Sequence, residues 1–287
     1  MRYLFAFFGF LCLKMPVFGQ EKSLLWKVQD PSGTHTAYIF GTIHMIPSDK
    51  FFYPKEFGDA FLQSHKLFTE IDLDDLHNMG KLFGIMDDLF MENDVSIQDL
   101  LTAKEYQQLK TYFDEMGMPL ALFDRMKPLM LSALTGTDGN PFALKDGSFK
   151  SYEMELGELA KSQDKTLEGL ESMEFQLSIF DSIPYPVQAK MLMESLQAPV
   201  EKMDALYQSY LDQDIEKMVQ SAESEDPNLQ PYLEMLIYKR NQNWVPTIEK
   251  EMQKGIGFFA VGAGHLGGAR GLLQLLRNKG YRLTPMH

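Results

Sequence analysis

The chain has 287 residues and a formal net charge of −13, from 40 acidic against 27 basic side chains; such a surface repels phosphate backbones and anionic lipid and argues against nucleic-acid binding. An apolar share of 45%, with 19 methionines and 12% aromatics, points to a packed, adaptable interior and excludes a disordered chain. The single cysteine, Cys12, lies in the first segment, so the chain beyond it has no thiol for disulfides or nucleophilic catalysis.

Residues 1–20 carry Arg2, an apolar run from Tyr3 to Leu13, then Pro16 and Gly19. This is the pattern of a secretory signal peptide, with cleavage expected near Gly19 or Gln20. The apolar run is shorter than the ~20 residues that span a hydrocarbon core, so no stable membrane anchor is expected after cleavage. A periplasmic or secreted location follows, with residues 21–287 as one domain. Within it, SLLWKVQD and TAYIFGTIH are rich in β-formers and flank the turn PSGTH, which predicts a hairpin. EFGDAFLQSHK has helical spacing, and KLFTEIDLDD reads as a short buried strand ending in acids. From Leu76 to about Asn140 the pattern turns helical, with MDDLF, TAKEYQQLKTYFDEM and LFDRMKPLMLSALTG broken by Gly117, Pro119 and Gly136. This stretch, about 76–140, reads as a helical insertion. SYEMELGELAKSQDK is a helix with Ser151 as N-cap, TLEGLES a brief strand and MEFQLSIFDSI a further helix. A helical run from Pro186 to about Lys254 has stops at Pro199, Pro227 and Pro231. Last come the strand GFFAV, a glycine cluster, the helix GARGLLQLLRN stopped at Gly280, and the strand YRLTPM. The fold class is α/β, a sheet core built from N- and C-terminal segments with a mainly helical middle region.

Gly262, Gly264 and Gly267 spell G-x-G-x-x-G between an apolar strand and an amphipathic helix. A dinucleotide site would need an acidic residue ~20 positions later to hold the ribose. The last acid in the chain is Glu251, which rules against that reading. What the fingerprint leaves unexplained is His265. Set beside each other, YIF-GTIH and FAV-GAGH share one plan, an apolar strand followed by Gly-x-x-His, from Gly41 to His44 and from Gly262 to His265. A glycine at a strand end allows positive φ or a close approach, so that the next side chains turn toward the crevice where α/β sheets bind ligands. Two imidazoles meeting there, with a carboxylate, make an open transition-metal site. Glu70, in LFTEIDL, is that carboxylate, since an acid among apolar strand residues needs a partner or a cation. Asp72 and Asp74 share its parity, but the strand should be ending there.

A lone Gly-x-x-His is more often a structural histidine beside a turn glycine; two copies after strands favour a shared site. His35, His65 and His77 read as turn, exposed-helix and helix-start residues, and His287 is terminal. The acid runs DLDD and ESED read as helix-start and solvated charges. No Gly-x-Ser-x-Gly elbow and no His-Glu-x-x-His helix occurs. Hydrolysis, if this chain performs it, would use metal-activated water.

The ordered set LLWKV, YIFGTIHM, LFTEID, LEGLESMEFQ, KRNQNW and FFAVGAGHLGGARGLLQLL, from about Leu24 to Leu283, resembles the TraB/GumN/PrgY family. The resemblance implies a core related to erythromycin-esterase and ChaN-like folds and, as in the TIKI-type members, divalent-metal-dependent peptidase activity on a peptide or protein substrate. By position, His44 and His265 match the motif histidines, Glu70 the strand-borne acid and Arg240 the arginine of the R-N-x-x-W segment. The implied ion, Mn, Co or Zn, would be held by His44, Glu70 and His265. Arg240 would stabilise an oxyanion, or else form a surface pair with a helix carboxylate. Glu153 stands where many relatives have aspartate; it is a second ligand, a general base or a helix cap. Glu171 and Trp244 read as structural. A non-catalytic peptide- or signal-sequestering protein is the alternative function, and haem binding ranks last.

Overall fold

The computed structural model describes residues 22–135, 146–197, 200–225 and 230–287. The expected signal peptide with Cys12, residues 136–140 of the expected insertion, and the stops Pro199 and Pro227 lie outside them. The strands are β1 (Leu25–Gln29), β2 (Thr36–Thr42), β3 (Ile46–Pro47), β4 (Lys66–Ile71), β5 (Phe149–Lys150), β6 (Thr166–Glu171), β7 (Gly257–Gly262) and β8 (Arg282–Met286). Six of them form one mixed sheet in the order β6-β4-β7-β2-β1-β8, with helices on both faces, so the class is α/β.

The four strands β6, β4, β7 and β2 run parallel, while β1 is antiparallel to both β2 and β8. Apolar residues occupy successive positions of β2 and β7, as parallel strands covered on both faces require. Phe258 and Phe259, one residue apart, serve opposite faces. Phe258 packs 5.3 Å from Phe57 and 5.1 Å from Phe61, and Phe259 stacks 4.6 Å from Phe68. The hairpin expected from β1 and β2 is present, with Leu25 opposite Phe40 and Gln29 opposite Thr36. The edge strand β8 carries Pro285, where no outer ladder hydrogen bond is lost.

Strand β7, from the end of the chain, lies between β2 and β4, from its beginning. The chain leaves β4 toward β6 on one side and leaves β7 toward β8 on the other, which makes the β4–β7 boundary a switch point. The registers Thr42 opposite Gly262 and Ile71 opposite Glu171 bring the ends of all four parallel strands to one edge. The stretch 79–135 contributes helices, chiefly Ala103–Glu115 and Pro128–Thr135, whose Leu109, Phe113 and Leu131 pack with Ala189 and Leu192 in a core separate from the sheet's. Among the described residues no helix is long and apolar enough to cross a membrane.

Several expectations are corrected. The helix expected over LFDRMKPLMLSALTG begins only at Pro128, because a proline disfavours helix in the residue before it and suits the first helical position. MDDLF holds a short turn, Asp87–Leu89, rather than a helix. The helix expected from Gly268 begins at Leu272. The preceding glycines form a crossing: a Cβ on Gly267 would stand 3.0 Å from the Ile215 carbonyl oxygen, Gly268 has φ of 78°, and its N–H donates to Glu216. The paired Gly-x-x-His glycines serve close approach and not positive φ. A Cβ on Gly41 would lie 2.8 Å from Leu266 Cδ1 and 3.2 Å from the Ala263 backbone.

Gly41→Ala is therefore expected to cost about 1–3 kcal/mol through overpacking. Gly58→Ala, on a helix with nothing within 4 Å, is expected to be neutral or stabilising. Urea unfolding midpoints of the two variants check the contrast.

Candidate active site

Each side chain reaches the sheet edge by a local device. His44 follows β2, and two residues later β3 pairs antiparallel with β5, Ile46 opposite Lys150. That two-residue ladder sets Ser151 and the helix Tyr152–Ser162 beside the first histidine. Ser151 Oγ accepts from the Met154 N–H as N-cap, so Glu153 is not the cap. Glu153 Oε1 instead meets His44 Nδ1 at 3.1 Å and accepts from Thr42 Oγ1 at 3.2 Å, and its Oε2 accepts from Ser151 Oγ at 3.0 Å. The His44 side chain is 78% exposed, open to the site's mouth. Its hydrogen bond to Glu153 and that carboxylate's charge raise the imidazole to about 9, against the cost of desolvation.

The second histidine sits in a buried network. Glu70, near the end of β4, and Glu171, at the end of β6, share the guanidinium of Arg240, which is only 8% exposed. Arg240 Nε donates to Glu171 Oε1 at 2.8 Å and Nη2 to Glu70 Oε2 at 2.5 Å. Arg240 Nη1 reaches His265 Nε2 at 3.2 Å and the Leu236 carbonyl at 2.9 Å; Leu236 lies in a π-helical turn, Glu234–Tyr238, that leads into the helix Lys239–Met252. Trp244, one turn after Arg240, donates its indole N–H to Glu171 Oε2 and lays its ring 4.5 Å from His265. Arg240 is thus no surface pair with a helix carboxylate, since its partners are two strand-end acids.

The tautomer of His265 follows from its neighbours. Asn241 Nδ2 donates to the carbonyls of His265 and Arg270, which orients its amide and leaves Oδ1, 2.7 Å from His265 Nδ1, as acceptor. Nδ1 therefore carries the proton, and Nε2 presents a lone pair to the guanidinium, which can only donate. Burial, opposed by Glu70 but reinforced by Arg240 and His44, lowers this ring to about 4, so it is neutral at pH 7. Burial opposes ionisation of Glu70 too, yet His265, Arg240, His44 and the Gly262 N–H outweigh it and hold the carboxyl at about 2.

A cavity of about 430 Å³ opens here, lined by His44, Glu70, Arg240 and His265 on its charged side and by Ile179, Phe180, Leu206, Met218 and Ile237 along its wall. The structure thus brings His44, Glu70, Arg240 and His265 to one cavity and places Glu153 directly behind His44. The donor types fit a divalent ion, but among the described residues no three His, Cys, Asp or Glu side chains stand together as a preformed ion site. Asp72 lies past the strand end and caps the turn Leu73–His77. His35 pairs with Asp30 and His65 is exposed; the side chains of His77, Glu223 and Glu225, and all of Asp226, are not among those described. Sequence reasoning missed Asn241 and Gln176, whose Nε2 bridges Glu171 and Glu70. The R-N-x-x-W spacing, which puts Arg240 and Trp244 on one helix face, was the available signal.

A histidine raised in the folded state stabilises fully below its ordinary value of 6.5, and that contribution is lost as pH rises through about 9. The melting temperature of the wild type is expected to fall relative to that of His44→Gln between pH 6.5 and 9. His265 has already lost its proton across that window, so parallel melting curves would count against the His44–Glu153 pairing.

The TraB/PrgY/gumN family matches residues 24–285. Metalloprotease TIKI1 from Homo sapiens is 26% identical over an alignment covering 95% of this chain and 63% of the relative. Metalloprotease TIKI2 from Danio rerio is also 26% identical, covering 92% of this chain and 61% of the relative. The chain thus spans about three-fifths of the length of these relatives. No solved structure matches it. With the match running over nearly its whole length, the chain belongs to the TraB/PrgY/gumN family.

Proposed function

We propose that the chain is an exported, divalent-metal-dependent hydrolase that cleaves peptide or protein substrates in this cavity. One observation carries the reading: both motif histidines have Nδ1 engaged, His44 by Glu153 and His265 by Asn241. Nε2 is then the nitrogen each can offer to the cavity, and histidine ligands are oriented in this manner by carboxylate or carbonyl partners. The relatives named metalloproteases support the reaction class.

Charge supports it as well. Glu70, Glu153 and Glu171 bring three carboxylates against Arg240 and a protonated His44, which leaves one negative charge. With His44 giving up one proton on binding, the site would be neutral with a divalent ion in place, and buried uncompensated charge is costly. His44, Glu70 and His265 would hold the ion, whether Mn, Co or Zn. When bound, such an ion supplies Lewis acidity toward a carbonyl and toward water.

The protein's own groups do the rest. Glu153 keeps the His44 ring in place, with Thr42 and Ser151 holding the carboxylate. Arg240 offers guanidinium N–H groups to negative charge developing on a substrate oxygen. The aliphatic and aromatic wall takes an apolar side chain next to the scissile bond and excludes water from it.

The test is incubation of the purified protein with a peptide library, with and without chelator, followed by mass spectrometry. Chelator-sensitive fragments cut beside bulky apolar residues are expected, and His44→Ala and His265→Ala should each reduce cutting by at least ~100-fold, since loss of a ligand's outer-shell partner alone costs up to about that much. Peptides retained intact would establish the sequestering function instead.

A further inference from the structure

We infer that the Arg240 guanidinium stands in the cation position of this site, so that a divalent ion and Arg240 compete for Glu70 and His265. The inference rests on the ion-dependent reading above and adds how the ion gains entry.

The geometry is specific. Arg240 Nη2 lies 2.5 Å from Glu70 Oε2 and Nη1 lies 3.2 Å from His265 Nε2, so one planar cation bridges two of the three expected ligands. His265 Nε2 and Glu70 Oε1 are 3.8 Å apart. That same Oε1 accepts the Gly262 N–H at 2.9 Å, which fixes the carboxylate from the strand side. A guanidinium cannot give up its protons at any accessible pH, so it cannot share these lone pairs with a second cation. Like charges at such separation repel strongly away from water.

Arg240 has somewhere to go. Its Nε holds Glu171 Oε1 at 2.8 Å, Nη2 donates to that same oxygen as well as to Glu70, and the guanidinium lies 4.9 Å from the Trp244 ring. Rotation of Nη1 off His265 and of Nη2 off Glu70 can keep the Nε bond to Glu171. The remaining cavity contact, to the Leu236 carbonyl, belongs to a π-helical turn, whose backbone is less regular than an α-helix. The displaced N–H groups then become the donors available to a substrate oxygen. A purely structural arginine would need Glu171 and Trp244 and would leave the histidine lone pair alone.

The test is calorimetric titration of the full chain with zinc chloride, comparing wild type, Arg240→Met and Arg240→Lys, with ¹⁵N NMR of the His265 ring. Methionine keeps the stem and removes the competing cation. Removing a competitor from a binding-competent state tightens apparent affinity by the fraction it had occupied, so Arg240→Met should bind zinc about 10-fold tighter or more. In the wild type, zinc should shift the His265 Nε2 resonance as it loses the arginine hydrogen bond. Equal or weaker binding by Arg240→Met, with the wild type still binding, overturns the competition and leaves the ion-dependent reading standing. Failure of both proteins to bind zinc overturns both. Should the methionine variant not fold, Arg240→Lys decides by the same comparison, since a single ammonium cannot bridge both groups: tighter binding supports the competition and equal or weaker binding overturns it.

Discussion

Everything at the sheet edge depends on one guanidinium neutralising two buried carboxylates. Glu70 and Glu171 end neighbouring parallel strands and would repel each other across a low-dielectric crevice without Arg240 between them. Removing one partner of such a buried cluster costs roughly 3–5 kcal/mol, because a charge is left uncompensated. The same arginine also fixes the state of His265, since it can only donate and therefore demands a bare Nε2. Stability, tautomer and charge balance thus meet at one residue of the helix Lys239–Met252. Trp244 and Asn241, on the same helix, complete the setting by holding Glu171 and the far side of the imidazole.

The sheet topology makes the site possible. Placing β7 between β2 and β4 puts a C-terminal segment next to two N-terminal ones, so that motifs more than two hundred residues apart in sequence end on one edge. The glycines of the two motifs allow this by their size. Gly41 lets the turn after β7 pack onto β2, and Gly262 brings its N–H to the Glu70 carboxylate. The two histidines then differ in environment. His44 is open and held by a carboxylate, and His265 is closed and held by an amide, so one ring rises to about 9 and the other falls to about 4. This divergence comes from burial and partner charge, since the motifs themselves are alike.

The strands and both histidines were legible because long apolar runs ending in glycine leave little freedom in a covered parallel sheet. Glu70 was preferred over Asp72 by expecting the strand to stop at the aspartates, and the strand stops at Ile71. Less was legible where tertiary contact decides. The β3–β5 ladder is two residues long and carries no periodic signal, yet it sets Glu153 against His44. Asn241 and Gln176 look like ordinary helix polar residues until the strand ends are in place. The late start of the helix at Leu272 depends on the passage of Gly267 over Ile215, a contact between distant segments. Glu171 read as structural, and its pairing with Arg240 and Trp244 shows only once the strand ends are in place.

The central claim is that the imidazoles of His44 and His265 serve one ion. X-ray absorption spectroscopy of the cobalt-loaded protein tests it most directly, because multiple scattering from imidazole rings reports how many histidines are bound. Two imidazoles per cobalt, falling to one in His44→Ala and in His265→Ala, are expected. A spectrum with no imidazole scattering, or one unchanged by either substitution, would contradict the shared site.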